Sequence, residues 1–349
     1  MRPIGYYVHH QGWGHWQRAR VIASQLRRPC RLIGSLPLPD GCDPSFLRLP
    51  DDALPNVPSR PRDLPESSAL HYAPPGGAGL RNRAAILAGW IAENRPALMV
   101  VDVSVEVILL SRICGTPVVS MRLAGRRDDA PHLAGFEASE ALIAPFPETL
   151  DDADLPGWVR DRSFHAGFLA EAPAPPPPRP LGRRILVLLG RGSGMQDGAA
   201  LAAAAAATPG WKWEVAGPVR PDVGATPNLC WLGWVEDVVP RLQAADVVVG
   251  GCGDGVLSEV AAHAKRFVCI PEPRPFAEQE SKAARLQALG AAVVLPGWPP
   301  ATDWPALLDA ALALEPGRIA ALYTAGAAQR TAAFIDAQAD EAVSRYGIR

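Results

Sequence analysis

The sequence predicts a two-domain α/β protein with a parallel sheet in each half. Three observations carry this expectation. The chain has 349 residues, more than one hydrophobic core usually serves. Short apolar runs alternate with helical segments along most of its length. A proline-rich stretch, Ala172–Pro180 (APAPPPPRP), then divides it into halves of similar length that restart the same alternation. The expected organisation is a first domain over residues 1–171, a semi-rigid linker over 172–180 and a second domain over 181–349.

In the first half, Ile4–Val8 reads as a buried strand, followed by a turn and a helix over Trp16–Leu26. Ala97–Asp102 is a second apolar run ending on a polar residue, and Val105–Ile113 follows as a helix. Pro117–Met121 and Ala141–Phe146 are further short strands. In the second half, the strands are Arg184–Leu189, Lys212–Ala216, Ala245–Gly250 and Phe267–Ile270. The helices between and after them are Asp197–Ala207, Val238–Ala244, Val256–Ala264 and Glu278–Leu289. Strands in such βα series pair in parallel through right-handed crossovers, so each half is expected to be Rossmann-like. The segment Leu36–Gly79, dense in Pro, Asp and Ser, fits neither period. It reads as an irregular excursion, either part of a ligand surface or a loop without a role. Arg126–Asp129 reads as a solvated surface turn, and Arg318–Tyr346, rich in Ala, as helix.

A hydrophobic fraction of 48% with 20% charged residues belongs to a globular chain. The formal charge of −2 gives no field that would favour nucleic acid, so an anion must be held by local geometry. Six scattered cysteines form no C-x-x-C pair and read as reduced, mostly buried thiols. Met1 leads straight into a strand, which predicts no signal peptide. The most apolar long stretch, Pro96–Ser120, contains Asp102, Glu106 and Arg112, which argues against a spanning helix. The expected location is the cytoplasm. The high Ala, Arg and Pro content suggests a GC-rich bacterial coding sequence, and the oligomeric state is unassigned.

Open parallel sheets bind ligands at the carboxyl ends of their strands, where helix N-termini present free amides. Ala245–Gly250 (ADVVVG) is such a strand and Gly251–Gly255 (GCGDG) its exit loop. The glycines let backbone approach a phosphate closely. A helix follows with Glu259 one turn in, where a carboxylate can accept both hydroxyls of a ribose while the N-terminus takes a pyrophosphate. This points to a nucleotide, with a simple structural turn as the alternative.

From Leu229 the chain reads LCWLGWVEDVVPRLQAADVVVGGCGDGVLSEVAAHAKRFVCIPEPRPFAEQESKAARLQALGAAVVL. This resembles the C-terminal domain of glycosyltransferase family 28, the group of the peptidoglycan lipid-intermediate N-acetylglucosaminyltransferase. The shared order is G-[FW]-[IV]-x-D, ADVVV, a Gly/Ser loop, SE, a strand ending in Pro, an acidic/Gln pair and L…GAA. The resemblance implies the GT-B fold, two Rossmann-like domains facing each other across a cleft, and sugar transfer from a nucleotide-sugar donor with inversion. By position, Trp234 and Val235 match the residues that hold the pyrimidine base, and Gly253, Asp254 and Gly255 the pyrophosphate loop. Ser258 and Glu259 match the SE pair, Glu259 being the ribose ligand, while Glu278 and Gln279 match the pair that binds the donor sugar. The family usually has two glutamines there, so Glu278 leaves the sugar open. Gly190–Gly194 (GRGSG) resembles the G-G-S-x-G loop, which places Gly192 and Ser193 near the diphosphate; Arg191 is either an added cation or a solvent-facing residue.

The chain opens YYVHHQGWGHWQRA, with His9, His10 and His15 at a strand-to-helix turn and Arg18 on the same helix. Gly14 and His15 match the family's N-terminal G-G-x-G-G-H loop, which faces the acceptor. Three of its glycines are replaced by His10, Gln11 and Trp13, so the acceptor is expected to differ from a lipid pyrophosphate. Transfer to an acceptor hydroxyl needs a base, and imidazole suits that role. His15 is the first candidate and His10 the second. Asp102, at a strand end in VVDVSVE, is a third candidate, or else the N-cap of the helix after it. Trp13, Gly14 and Arg122 are the expected acceptor contacts. No D-x-D motif stands at a cleft loop, which predicts a metal-independent reaction with no cofactor.

The donor is expected to be a UDP- or dTDP-sugar and the acceptor a small molecule or glycan. The stretch Arg81–Trp90 reads as a core helix, or else as the weak peripheral membrane contact that the family makes. The last helix is expected to cross back onto the first domain, as it does in this fold. Two rival functions share the architecture: a non-hydrolysing nucleotide-sugar 2-epimerase, and a non-catalytic subunit that binds nucleotide sugar.

Overall fold

The computed structural model describes residues 1–9, 13–37, 46–51, 73, 77–152, 154–170, 180–190, 197–219 and 226–347, with Trp13 described at the backbone alone. The linker residues 172–179, most of 36–79, His10, Gly192 and Ser193 lie outside the described residues.

The first sheet is built from β1 (Ile4–Val8), helix α1 (Trp13–Ala23), β2 (Cys30–Gly34), β3 (Leu47–Arg48), α2 (Ala78–Asn94) and β4 (Leu98–Asp102). It continues through α3 (Val105–Ile113), β5 (Val118–Met121), α4 (Ala130–Ala138), β6 (Ala141–Ala144), α5 (Gly157–Asp161) and β7 (Ser163–His165). Its order is β3-β2-β1-β4-β5-β6-β7, with every pairing parallel. Every residue of β1 and β4 is buried, which is why these central strands read as unbroken apolar runs.

The second sheet uses β8 (Arg184–Leu188), α6 (Gly198–Ala206), β9 (Lys212–Ala216), β10 (Leu229–Gly233), α7 (Val239–Ala244), β11 (Val247–Gly250) and α8 (Asp254–Ala262). Then come β12 (Arg266–Cys269), α9 (Glu278–Ala288), β13 (Val293–Val294), α10 (Trp304–Leu312), α11 (Pro316–Ala320) and α12 (Ala327–Tyr346). Its order is β10-β9-β8-β11-β12-β13, again parallel throughout. The strand order therefore reverses between β1 and β4 in one sheet and between β8 and β11 in the other. These are the points where an open sheet forms a ligand crevice at its carboxyl edge.

The expected helix Arg318–Tyr346 is two helices: α11 ends at Ala320, and α12 starts after Gly326, which takes a left-handed φ of 73°. The second of them, α12, packs on the first sheet: Ala332, Ile335 and Ala339 share a core with Ile4, Trp16, Ala19 and Leu98. Asp336 accepts from the Arg27 amide at 2.9 Å, and Asp340 pairs with Arg27 and Arg28. Arg81–Trp90 lies within α2, whose Leu87 and Ile91 are buried. Among the described cysteines, Cys252 and Cys269 are buried, Cys30 is half-buried, and Cys114 and Cys230 are exposed, so two thiols depart from the expected burial.

The two halves share a further core, in which Ala124, Phe146 and Phe168 meet Leu257 and Val260. Arg126–Asp129, expected as a solvated turn, lies at this interface. The Arg126 amide donates to the Phe276 carbonyl at 2.7 Å, and Arg127 is 5% exposed. Asp129 caps α4, accepting from the His132 amide at 3.2 Å. Gly125 makes the approach possible. Its φ is +94°, and a Cβ there would meet the Phe276 carbonyl oxygen at 2.4 Å. Gly125→Ala is therefore expected to destabilise the folded chain by about 1–3 kcal/mol, read as a lower urea midpoint. An unchanged midpoint would show that the halves do not meet here in solution.

Candidate functional site

One wall of the candidate site is the carboxyl edge of the second sheet. β11 ends at Gly250, and the loop after it delivers Gly253 as the N-cap of α8 without a side-chain oxygen. Among the described residues, no side chain caps the first-turn amides of α8, which leaves donors for an anion. Gln279 organises this loop. Its Oε1 accepts from the Cys252 amide at 2.8 Å and the Glu272 amide at 3.0 Å, tying the exits of β11 and β12 together. A Cβ on Gly251 would lie 3.0 Å from that oxygen, so the glycine is what lets the carboxamide in. The Nε2 group faces Gly253.

Further carboxylates stand around this loop, Glu272 against Gly251 among them. Asp254 lies 2.5 Å from the Lys282 ammonium, and Glu278 lies 3.5 Å from the same nitrogen and 3.6 Å from Arg127. Burial works against ionising Asp254, but Lys282 and then Arg18 outweigh it and hold the carboxyl below its usual value. Burial likewise works against a charge on the fully buried Lys282, and Asp254 and Glu278 reverse that. Glu259 differs. Its Oε2 is buried without a hydrogen-bond partner, and burial together with Asp237 pushes its carboxyl above the usual value. Trp234 is 51% exposed, while Val235 packs partly buried against the core beneath. Gly255 is open, with nothing within 4 Å of a Cβ added there. Ser258 departs from the expected ligand role: its buried Oγ accepts the Ala170 amide at 3.0 Å, an internal hydrogen bond.

The facing wall is the carboxyl edge of the first sheet, between β1 and β4. His15 lies in the first turn of α1, and its Nδ1 is 3.0 Å from Asp102 Oδ2. Arg18, one turn further along, places Nη2 at 2.8 Å and 3.0 Å from the two Asp102 oxygens. That nitrogen also lies 2.8 Å from His15 Nδ1, so Nδ1 either accepts from Arg18 or donates to Asp102, according to the ring tautomer. In the tautomer whose Nδ1 proton faces Asp102, Nε2 carries the imidazole lone pair. Burial opposes ionisation of Asp102, but Arg18 and His15 overcome it, so its carboxyl is held well below the usual range. His9 packs a tilted ring on His15, with centroids 5.4 Å apart.

Asp102 is not the N-cap of α3. That place belongs to Ser104, whose Oγ accepts the Val107 amide at 3.3 Å. Between them Val103 sits at φ 67°, a left-handed conformation that a β-branched residue rarely takes. Such backbone strain clusters where a side chain is aimed for a purpose.

Arg122, expected to bind an acceptor anion, is instead an internal residue. Its fully buried guanidinium pairs with both Asp151 oxygens, at 2.8 and 2.6 Å, and its Nε donates to Ser163 Oγ. Gly14 is exposed in the first turn of α1, and Trp13 begins that helix.

The walls are joined: Arg18 Nη1 lies 3.7 Å from Asp254 Oδ2, across the interface. The sequence singled out neither Lys282 nor the role of Arg18, although spacing held a signal for both. Arg18 is three residues after His15 and Lys282 four after Glu278, neighbours on a helix surface. A cavity of about 420 Å³ opens elsewhere, between β6, β7 and α12, and none of these residues lines it. Among the described residues, no cluster of metal-ligating side chains occurs and no helix is long and apolar enough to cross a membrane.

The chain matches no protein-family model and no curated relative. Its fold does match solved structures over nearly the whole length. A UDP-glucosyltransferase from Polygonum tinctorium capable of glucosylating indoxyl aligns with a TM-score of 0.68 at 15% identity, covering 97% of this chain and 99% of that one. MurG of Acinetobacter baumannii aligns with a TM-score of 0.64 at 14% identity, covering 97% and 100%. The spinosyn rhamnosyltransferase SpnG complexed with thymidine diphosphate aligns with a TM-score of 0.57 at 16% identity, covering all of both chains. The chain thus has the GT-B fold, two parallel-sheet α/β domains of the kind found in these proteins.

Proposed function

We propose that this chain is a glycosyltransferase that moves a sugar from a UDP- or dTDP-sugar to a hydroxyl of a small-molecule or glycan acceptor. The observation that carries the reading is the joining of the two switch points: a His15–Asp102 pair on one wall meets the α8 N-terminus on the other through Arg18 and Asp254. A base and an anion site face each other, as transfer from a nucleotide sugar requires. The structural neighbours whose names include a UDP-glucosyltransferase and a thymidine diphosphate complex support the two nucleotides.

In this mechanism His15 Nε2 takes the proton of the acceptor hydroxyl as its oxygen attacks the anomeric carbon. The bond from that carbon to the diphosphate oxygen breaks, and the electron pair leaves with the nucleoside diphosphate. Asp102 keeps Nδ1 protonated and stabilises the imidazolium that forms. One base and direct displacement give inversion. The first-turn amides of α8 meet the departing charge with fixed dipoles. Lys282 stands between Asp254 and Glu278 and offsets the charge of these two carboxylates.

Glu259 Oε2 is buried 3.6 Å from His263 Nε2, so the ribose hydroxyls would be met by the other oxygen of this half-exposed carboxylate. Glu259→Ala should therefore weaken binding of UDP by about tenfold or more, the value of hydrogen bonds to a carboxylate. The loss for dTDP, whose sugar has one hydroxyl fewer, should be smaller. Isothermal titration of both ligands checks this, and equal affinities in wild type and variant would remove Glu259 from the site. The reaction itself is tested by incubating the protein with nucleotide sugar alone and with acceptor panels. A 2-epimerised product without acceptor would overturn the transferase reading.

A further inference from the structure

Arg18 does more than hold Asp102. Its side chain is 8% exposed, its Nε is buried without a hydrogen-bond partner, and its two terminal nitrogens serve different domains. Nη2 is fully engaged with the Asp102 carboxylate at 2.8 and 3.0 Å. Nη1 reaches only to 3.7 Å from Asp254, longer than a hydrogen bond. Asp254 itself opens α8, and a carboxylate there is favoured by the helix dipole. It stands beside the amides that a donor diphosphate would use, however, and two anions at one helix end repel.

The local charges explain how both are accommodated. Asp102, Asp254 and Glu278 are balanced by Arg18, Lys282 and Arg127. A diphosphate adds negative charge beside cations that already have carboxylate partners, so it needs a cation that can change partner. Lys282 is enclosed between two carboxylates. Arg127 lies 3.6 Å from Glu278, with one nitrogen 3.1 Å from the His132 ring and its face over Phe276. Arg18 Nη1 at 3.7 Å and Arg127 Nη2 at 3.6 Å both hold loose contacts and both come from the opposite domain, but Arg18 is the one set against Asp254, in the first turn of α8.

We propose that Arg18 is the cation the first domain supplies to the leaving diphosphate of the donor, and that Asp254 holds its place until the donor arrives. The inference rests on the glycosyltransferase reading. When donor binds, Nη1 exchanges Asp254 for a phosphate oxygen while Nη2 stays on Asp102. One planar guanidinium then spans the leaving group and the carboxylate behind the base, a geometry that arginine's rigid fork allows and lysine's point charge does not. Negative charge that grows on the diphosphate as the glycosidic bond breaks is met by a positive group already in position.

The test compares UDP and dTDP with uridine and thymidine by isothermal titration on the full chain. Arg18→Gln should weaken the diphosphates about tenfold and leave the nucleosides unchanged, because a nucleoside has no phosphate for the guanidinium to meet. Asp254→Asn should do the reverse and tighten the diphosphates about two- to fivefold, since it removes a competing anion from the helix end. Arg18→Lys, a point charge that cannot span both partners, should weaken the diphosphates about threefold and leave the nucleosides unchanged, and it replaces Arg18→Gln in the comparison if that variant does not fold. The proposal is overturned if Arg18→Gln weakens nucleoside and diphosphate alike, which marks a structural role, or if Asp254→Asn weakens the diphosphates. Failure of the wild type to bind UDP or dTDP sinks the glycosyltransferase reading and this inference with it, whereas tight wild-type binding that Arg18→Gln leaves intact sinks this inference alone.

Discussion

His15→Ala lowers kcat for glycosyl transfer by about 10³-fold while the affinity for UDP or dTDP stays within a factor of about two. The size follows from the role: a positioned general base contributes about 10²–10⁴ in rate. The preserved affinity follows from the geometry, since His15 belongs to the first domain and its Nδ1 is directed to Asp102. Asp102→Asn should cost a similar factor, because an amide in that place no longer fixes the proton on Nδ1, and the Arg18 cation beside it loses its partner. The double variant should fall little further than either single one, as residues acting as a unit are strongly non-additive. Steady-state kinetics with a saturating donor gives the rates, and a nucleotide titration gives the affinities. A His15→Ala enzyme with more than a tenth of the wild-type kcat would show that the base lies elsewhere.

The frame that brings this pair together was legible in the sequence for a physical reason. β1 and β4 are buried on both faces, so their runs are apolar throughout and end abruptly at the polar carboxyl edge. Strand-end residues such as Asp102 were therefore visible as candidates before any contact was known. Less buried strands were not. β2 (CRLIG) carries Arg31, β7 is three residues long, and β10 lies half-exposed at a sheet edge with an irregular register. Each lacks the continuous burial that leaves a signature. Arg126–Asp129 misled for a related reason. Four charges in a row resemble a solvated turn, and nothing local reveals that Glu278 and Phe276, far along the chain, bury Arg127. The same holds for the Arg18–Asp254 contact. Spacing can place each member on a helix face, but only the docking of the two sheets puts them together.

Arg122→Leu destabilises the folded chain by about 3–5 kcal/mol, the usual result of removing one member of a fully buried ion pair. The guanidinium makes two short bonds to Asp151, one to Ser163 and a cation–π contact with Phe146 at 5.5 Å; without it the carboxylate keeps His165 and the Asp152 amide, each at 2.9 Å. Arg122→Leu combined with Asp151→Leu should recover much of the loss, because the penalty comes from the stranded charge more than from the missing attraction. The pH dependence follows the same logic. Burial works to raise the Asp151 pKa, but hydrogen bonds from His165 and Arg122 prevail and hold it well below the usual 3.8. The unfolded chain then binds the proton more readily than the folded one. The stability contributed by this carboxylate is complete above the unfolded value and is lost as pH falls through the lower, folded one. Urea unfolding of the wild type between pH 7 and pH 3 should show that loss, and the double-leucine variant should show less of it. If Arg122→Leu leaves the urea midpoint unchanged and raises the acceptor KM, the arginine is a ligand for the acceptor after all, and its burial against Asp151 gives way when the acceptor binds.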